Sequence, residues 1–211
     1  MRRPAFIFWI FLLITNTACS QKAKKENRQM NKENLETAVL AGGCFWCTEA
    51  VFQQLKGVDH VESGYAGGHV ANPTYEQVCT GNTGHAEVIK IWYDPQVINF
   101  EGLLEVFFKT HDPTSLNRQG ADVGTQYRSA IFYRNEKEKE IAANIIKDLD
   151  DSGYYSEKVV TTLEPLKTYY AAENYHQDYF RVKGDQNPYC QMVVKPKLEK
   201  FEKVFKDKIK D

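Results

Sequence analysis

Residues 37–55 constrain the fold more than any other part of the chain. Thr37-Ala38-Val39-Leu40-Ala41 has the composition of a short buried strand, and Glu49-Ala50-Val51-Phe52-Gln53-Gln54-Leu55 carries apolar residues at helical spacing. Only Gly42-Gly43-Cys44-Phe45-Trp46-Cys47-Thr48 lies between them, so the backbone must turn from strand into helix within a few residues. The two glycines supply the conformational freedom for that turn. Cys44 is thereby placed in the first turn of a helix, where unpaired backbone N–H groups and the positive end of the helix dipole favour thiolate over thiol. Phe45 and Trp46 add an apolar wall, and Cys47 puts a second sulfur three residues on, close enough for disulfide chemistry.

With 27 Lys+Arg against 28 Asp+Glu, the formal net charge of -1 supplies no global field for nucleic acid or acidic lipid. Residues 1–19 read as an export signal: Arg2 and Arg3 form a charged start, residues 5–14 an apolar core, and Thr17-Ala18-Cys19 a small-residue cleavage region. The apolar run is far short of the roughly 20 residues that cross a bilayer. Cys19 resembles the lipid-modified cysteine of bacterial lipoproteins, with Asn16 standing where an aliphatic residue is usual. The expectation is export from a bacterial cytoplasm to a periplasmic location, with a lipid anchor on Cys19; plain secretion is the alternative. Residues 20–34 carry Lys22, Lys24, Lys25, Arg28 and Lys32 among Gln and Asn, the pattern of a flexible polar tether.

Residues 35–211 are then a single domain, large enough for a substantial core. It holds Cys44, Cys47, Cys79 and Cys190, an even number in an exported protein, so structural disulfides are the reading that a redox role must displace. Strands are expected at 58–65, around Val88, Ile89, Ile91 and Tyr93, at 129–133 and at 159–163. Asn99 is placed to cap a helix over 100–110 with Leu103, Leu104, Phe107 and Phe108 on one face. A charged helix is expected over 135–150, with 136–140 on its solvated face, and a short amphipathic helix within 195–210. Residues 112–128 are polar and too long for a simple connection, which marks a functional loop. The alternation predicts an α+β fold, a mainly antiparallel sheet covered by helices, with an extended C-terminal segment whose 187–190 portion is a loop.

The segments Gly43-Cys44-Phe45-Trp46, Asn72-Pro73-Thr74-Tyr75, Gly84-His85-Ala86-Glu87, Tyr93-Asp94-Pro95, His111-Asp112-Pro113 and Gly124-Thr125-Gln126-Tyr127-Arg128-Ser129 occur in that order. Together they resemble the A-type peptide methionine sulfoxide reductases over residues 40–179. The resemblance implies a two-layer α/β sandwich and a monomeric enzyme that reduces methionine S-sulfoxide, free or in proteins, repairing oxidised exported proteins. It implies no bound cofactor or metal, and an external thioredoxin-type dithiol as reductant. Cys44 matches the family's nucleophile, and Phe45 and Trp46 the wall that receives the substrate methyl group. Glu87 matches the acid that protonates the sulfoxide oxygen, Tyr75 and Tyr127 the hydroxyls that bind this oxygen, and Asp122 a carboxylate that positions substrate. A sulfoxide sulfur is electrophilic only when its oxygen is protonated or strongly hydrogen-bonded, so a thiolate must be matched by an acid and donors opposite it.

A sulfenic acid on Cys44 then needs a second thiol. Cys190, in a flexible C-terminal context, resembles the recycling cysteines of many members and is favoured as first resolver. Cys47, where many members carry Gly, is the near alternative, and a relay through both is a third. Cys79 reads as a small packed or partly exposed thiol, His85, His111 and His176 as structural histidines, and Tyr169, Tyr170, Tyr175 and Tyr179 as packing or substrate-channel residues. Two rival functions remain. A thioredoxin-like thiol oxidoreductase rests on the Cys44-Cys47 spacing alone and leaves Glu87, Tyr75 and Tyr127 unexplained. A zinc module using Cys44, Cys47, Cys79 or His85, and Cys190 lacks a second close cysteine pair.

Overall fold

The computed structural model describes residues 32–210, so the expected export signal with Cys19 and most of the expected tether lie outside the described residues. In chain order the elements are β1 (Glu36–Gly42), α1 (Phe45–Phe52), β2 (Val58–Ala66), α2 (Tyr75–Cys79), β3 (Ala86–Tyr93) and α3 (Phe100–Thr110). There follow β4 (Arg118–Gln119), β5 (Asp122–Val123), β6 (Ser129–Tyr133), α4 (Glu136–Ser152), β7 (Thr162–Pro165), β8 (Tyr169–Ala171), α5 (Tyr179–Lys183) and α6 (Lys195–Val204). Six strands form one sheet in the order β7-β6-β1-β3-β2-β8, and each neighbouring pair is antiparallel except β6–β7. This is the α+β sandwich with a mainly antiparallel sheet that the alternation predicts. β1 and β2, joined through α1, flank β3, while β3 and β6, joined through α3, flank β1. The two split β-α-β units interlock and place β3 and β1 at the centre of the sheet.

The side-chain period of two divides the sheet into unequal faces. Leu40, Ile89, Ile91, Tyr65 and Ile131 point to the face covered by α1 and α3 and join the main core with Phe52, Leu103, Leu104 and Phe107. Val39, Ala41, Ala86, Val88, Ala130 and Phe132 point the other way into a smaller cluster under Leu166 and Tyr169. Glu87 shares the parity of Ile89 and Ile91, so strand geometry alone carries its carboxyl under the first turn of α1.

Asn99 caps α3, accepting from the Gly102 N–H at 2.9 Å, and Asn135 caps α4 through the Glu138 N–H at 3.0 Å. Three expectations need correction. Glu138 does not lie on a solvated face: it is buried, and its carboxylate accepts from the Arg134 N–H and guanidinium, both at 2.8 Å. The strand expected at 159–163 begins only at Thr162, because Val159 and Val160 give their N–H groups to Asp150 Oδ1 and the Pro113 carbonyl instead of to the sheet. Cys190 does not sit in a loop: it opens a π-helical turn, Cys190–Val194, that runs straight into α6 and packs on α1. Among the described residues no helix is long and apolar enough to cross a membrane.

Candidate active site

The sharp turn between β1 and α1 depends on Gly43, whose φ is +89°. A Cβ there would also meet Gln119 Cγ at 2.5 Å, so the 112–128 loop closes directly over the turn. Cys44 is the N-cap of α1, one position before the first helical residue. The Phe45 N–H is one of the donors that a helix start leaves without an intrahelical partner, and it donates to Glu87 Oε2 at 3.0 Å. Glu87 is 2% exposed, and burial pushes its carboxyl up to about 8; the Phe45 hydrogen bond opposes this, and the negative charges at Asp122 and Cys47 add to it. At neutral pH it is a carboxylic acid with a proton to give.

Two phenols lie within reach of that acid's charge. Tyr75 is the first residue of α2, fixed by a capping box in which Thr74 Oγ1 accepts the Gln77 N–H while Gln77 Oε1 accepts the Thr74 N–H at 3.0 Å. Tyr127 ends a 3-10 turn, Thr125–Tyr127, just before β6. Burial pushes both phenols upward; contact with Cys79 and the charge of Glu87 add to it at Tyr75, and the charges of Glu87 and Cys44 at Tyr127. Both therefore keep their protons as donors.

The opposite side of the turn is sulfur. All four cysteines of the described chain are free thiols, so the structural-disulfide reading falls. Cys44 is 8% exposed, Cys47 1% and Cys190 not at all. Other forces oppose the helix start at Cys44: burial, then the hydrogen bond with Cys47 and the charge of Glu87, push its thiol up. Cys47 goes the other way, to about 7, because its contact with Cys44 outweighs burial and Lys197 and Tyr189 assist. Tyr189 links the cluster to the loop, its hydroxyl lying 4.0 Å from Cys47 Sγ and donating to Asp122 Oδ2 at 2.6 Å. Burial pushes Cys190 up, and its neighbouring sulfur charge is that of Cys47.

The apolar wall is thicker than Phe45 and Trp46 alone. Tyr179 stacks on Trp46 with centroids 3.8 Å apart and planes 7° from parallel. His176 packs on Phe45 at 5.0 Å and on Tyr75 at 4.4 Å, and its Nδ1 accepts the Trp46 indole N–H at 3.3 Å. Glu173 ties this segment to the sheet and α2, accepting from the Tyr65 hydroxyl and the Tyr75 N–H, both at 2.9 Å. Sequence reasoning treated His176 and Tyr179 as structure or channel and assigned nothing to Tyr189 or Glu173. Tyr189, adjacent to Cys190, was the signal available.

The remaining candidates hold the scaffold. His85 accepts the Gly68 N–H at Nδ1 and lies 2.7 Å from the Val70 carbonyl, fixing the loop after β2. His111 bridges the Phe107 carbonyl and Ser129 Oγ, and burial lowers it to about 4. Tyr169 donates to the Glu62 and Ser63 carbonyls and covers the smaller cluster. Cys79 is exposed at the end of α2. Among the described residues no three His, Cys, Asp or Glu side chains gather as a metal-ligand set, which leaves the zinc-module reading without ligands.

A family profile described as peptide methionine sulfoxide reductase matches residues 36–209. The chain belongs to this family. It is 54% identical over 176 residues to the peptide methionine sulfoxide reductase MsrA of Saccharolobus solfataricus, covering 83% of this chain and 98% of that one. Identity to the Nitratiruptor sp. MsrA is 57% over 82% of this chain and 97% of that one, and to the Deinococcus radiodurans MsrA 47% over 92% and 94%. Among solved structures, reduced Mxr1 of Saccharomyces cerevisiae superimposes with a TM-score of 0.67 at 35% identity, covering 77% of this chain and 92% of that one. Methionine sulfoxide reductase A of Corynebacterium diphtheriae gives 0.63 at 36% identity, over 70% and 74%. The chain is thus an oxidoreductase of the methionine sulfoxide reductase kind, and the site just described lies wholly within the matched residues.

Proposed function

We propose that this reductase converts the S epimer of methionine sulfoxide, free or in polypeptides, to methionine by attack of Cys44 on the sulfoxide sulfur. The observation that carries the reading is a neutral, buried Glu87 held at the first turn of α1, with Tyr75, Tyr127 and Cys44 all near enough to feel its charge. The sulfoxide oxygen takes hydrogen bonds from both phenols and a proton from Glu87, which makes the sulfur electrophilic. The same event eases the loss of the Cys44 proton, which burial otherwise retains. The oxygen passes from the substrate sulfur to the Cys44 sulfur: sulfoxide plus thiol gives thioether plus Cys44 sulfenic acid, the oxygen keeping the proton given by Glu87 and the thiol proton replacing it on Glu87. The methyl group rests against Phe45 and Trp46, and Asp122 with Tyr189 borders the remainder of the substrate. A sulfoxide sulfur is a stereocentre, so donors and methyl wall on fixed sides align one epimer with Cys44.

Cys47 closes the first disulfide in this reading, releasing the sulfenic oxygen as water. Its N–H donates to the Cys44 carbonyl at 3.1 Å and the two thiols are hydrogen-bonded, so closure needs only to draw their Cβ atoms to about 3.8 Å. Exchange then passes the bond to Cys190, which neighbours Cys47 and is buried, and an external dithiol of thioredoxin type reduces the product. Turnover of the two purified epimers, with mass-spectrometric disulfide mapping after one turnover without reductant, tests the whole scheme. Equal turnover of both epimers, or Cys44 outside the oxidised pair, would sink it. We also propose export to the periplasm and lipid anchoring through Cys19, supported by the charged, apolar and small-residue order of residues 1–19. An acyl mass on the N-terminal peptide of membrane-fraction protein, lost in Cys19→Ala, is the expected finding.

A further inference from the structure

Glu49 is the buried carboxyl that the chemistry above does not use. It lies one turn beyond Phe45 and Trp46 on α1, is 1% exposed, and reaches neither the acid nor the thiol cluster. Its Oε1 accepts the N–H of Asp178 at 3.1 Å, and the Tyr179 N–H and Ser63 hydroxyl face the same carboxyl. Its second oxygen is buried without a close partner among the described residues. A helix position pointing into the core would ordinarily be apolar, and burying a carboxyl there is costly unless it secures something.

What it secures is the segment that crosses from β8 to α5. Asp178 has a φ of +52°, in the left-handed region that a non-glycine residue occupies only when its surroundings hold it there. Gln53, one turn further along α1, donates to Asp178 Oδ1 at 2.6 Å, and Gln177 is bound to the Ser63 N–H and to the Ser63 and Ala172 carbonyls, each at 2.9 Å. The segment so held is the one that delivers His176 onto Phe45 and Tyr75, and Tyr179 onto Trp46. The same helix thus carries the front of the methyl wall at Phe45 and Trp46 and, through Glu49, fixes its back.

We infer that Glu49 is a positioning residue for the methyl-binding wall: as an acceptor for the Asp178 N–H it sets the backbone that places His176 and Tyr179 behind Phe45 and Trp46. It acts through Asp178 and touches no reacting atom. The inference rests on the reading of the site as a sulfoxide pocket. A wall set out of place weakens ground-state and transition-state binding alike, so the loss falls on KM rather than kcat.

Three full-length variants test this, with near-UV circular dichroism following the Trp46–Tyr179 stack and thermal unfolding checking the fold. Glu49→Leu removes the acceptor at similar volume, and Glu49→Asp withdraws it by one methylene. Each raises KM for methionine S-sulfoxide by about tenfold, leaves kcat within about threefold, and weakens the near-UV signal. Glu49→Gln keeps an acceptor in place and holds KM within about twofold of the parent. A folded Leu or Asp variant with the parent's KM and spectrum overturns the inference, and so does a Gln variant with the same defect as Leu. If Leu fails to fold, the Asp and Gln variants still decide between these outcomes. A parent inactive on the S epimer overturns the reading of the site, whereas an active parent with indifferent variants overturns the role of Glu49 alone.

Discussion

The acid side and the thiol side of the first turn of α1 are built from different materials. Glu87 belongs to β3, a central strand hydrogen-bonded on both sides, and the residues around it are tied to the sheet through Glu173 and the capping box of α2. Cys47 lies on a helix start, Tyr189 and Cys190 at the helical entry to the π turn, and Asp122 on a two-residue strand. Proton donation to a bound oxygen needs one fixed geometry, and it is placed on the most rigid element available. Recycling needs sulfurs to change partners, and it is placed on helix ends and a π turn, where backbone register has alternatives. Burial acts on both sides in the same direction with opposite value: it keeps on Glu87 a proton that the proposed reaction uses, and on Cys44 a proton that the proposed reaction must remove.

The largest effects should come from deleting either half of that pairing. Cys44→Ser is expected to abolish methionine release, since a hydroxyl does not ionise near neutrality. Glu87→Gln is expected to slow single-turnover release by about 10² to 10⁴-fold, the usual range for a lost general acid. The pH profile sharpens the comparison. In the proposed mechanism the protonated form of Glu87 is the active one, and its rise to about 8 keeps it present through neutrality, so the parent's rate is expected to fall as pH rises through about 8. Glu87→Gln should lose that alkaline limb. A Glu87→Gln enzyme with the parent's rate or profile would break the acid side of the comparison.

On the thiol side, Cys47→Ser should leave single-turnover release within about twofold while cutting steady-state turnover by about a hundredfold, because it acts after sulfur attack. Cys190→Ser should cost steady-state turnover only several-fold, on the order of 3 to 10. The reverse order, with Cys190→Ser the more damaging, would restore Cys190 as the first resolver. Disulfide mapping of the trapped species checks the assignment.

The sheet and its helices were legible because β1 and β3 are short apolar or β-branched runs and α3 keeps a 3.6-residue apolar period, while α1, buried nearly all round, follows from the glycines that precede it. The motif order located Cys44, Glu87, Tyr75 and Tyr127 individually, and strand parity brought Glu87 beneath α1. Illegible were properties that depend on what covers a residue. A helix start favours a Cys44 thiolate locally, and burial, the Cys47 contact and the charge of Glu87 oppose it, with only the Tyr189 hydrogen bond pulling the other way; Glu87 and the 112–128 loop over Gly43 are distant in sequence. Cys190 looked mobile because Asn187-Pro188 ends regular structure. Its burial comes from tertiary packing: the π turn lies against α1 and α6, and Cys190 joins the main core. Glu138 reads as surface in any charged run, and only the proximity of Arg134 across the helix start reveals its pairing.

The two phenols rank between Cys47 and Cys190 in size. Tyr75→Phe and Tyr127→Phe should each slow single-turnover release by about tenfold, less than loss of Glu87, because one hydroxyl partly covers for the other. The double variant tests that sharing: it should fall further than the product of the single losses. A product of independent losses would mean that the hydroxyls do not bind the same oxygen.

The smallest expected effect concerns Lys197, whose charge acts on Cys47 across the start of α6. Lys197→Met removes that charge with little steric consequence, since the side chain lines a cavity of about 530 Å³ shared with His111, Gln119 and Lys200. A nearby ammonium favours the thiolate, so its loss moves Cys47 back toward the ordinary thiol range and leaves less thiolate at pH 7. Closure of the Cys44–Cys47 disulfide, followed by rapid quench after a stoichiometric sulfoxide pulse, should slow by about threefold at pH 7. The sign reverses nothing at higher pH: once both proteins carry Cys47 fully ionised the difference should vanish, so the ratio of rates approaches one by about pH 10. Methionine release, which precedes closure and uses Cys44 and Glu87, should not change. A defect of equal size at every pH would show that Lys197 supports the packing of the π turn instead of the ionisation of Cys47. The thiol side would then be governed by geometry alone, as the acid side is by its strand.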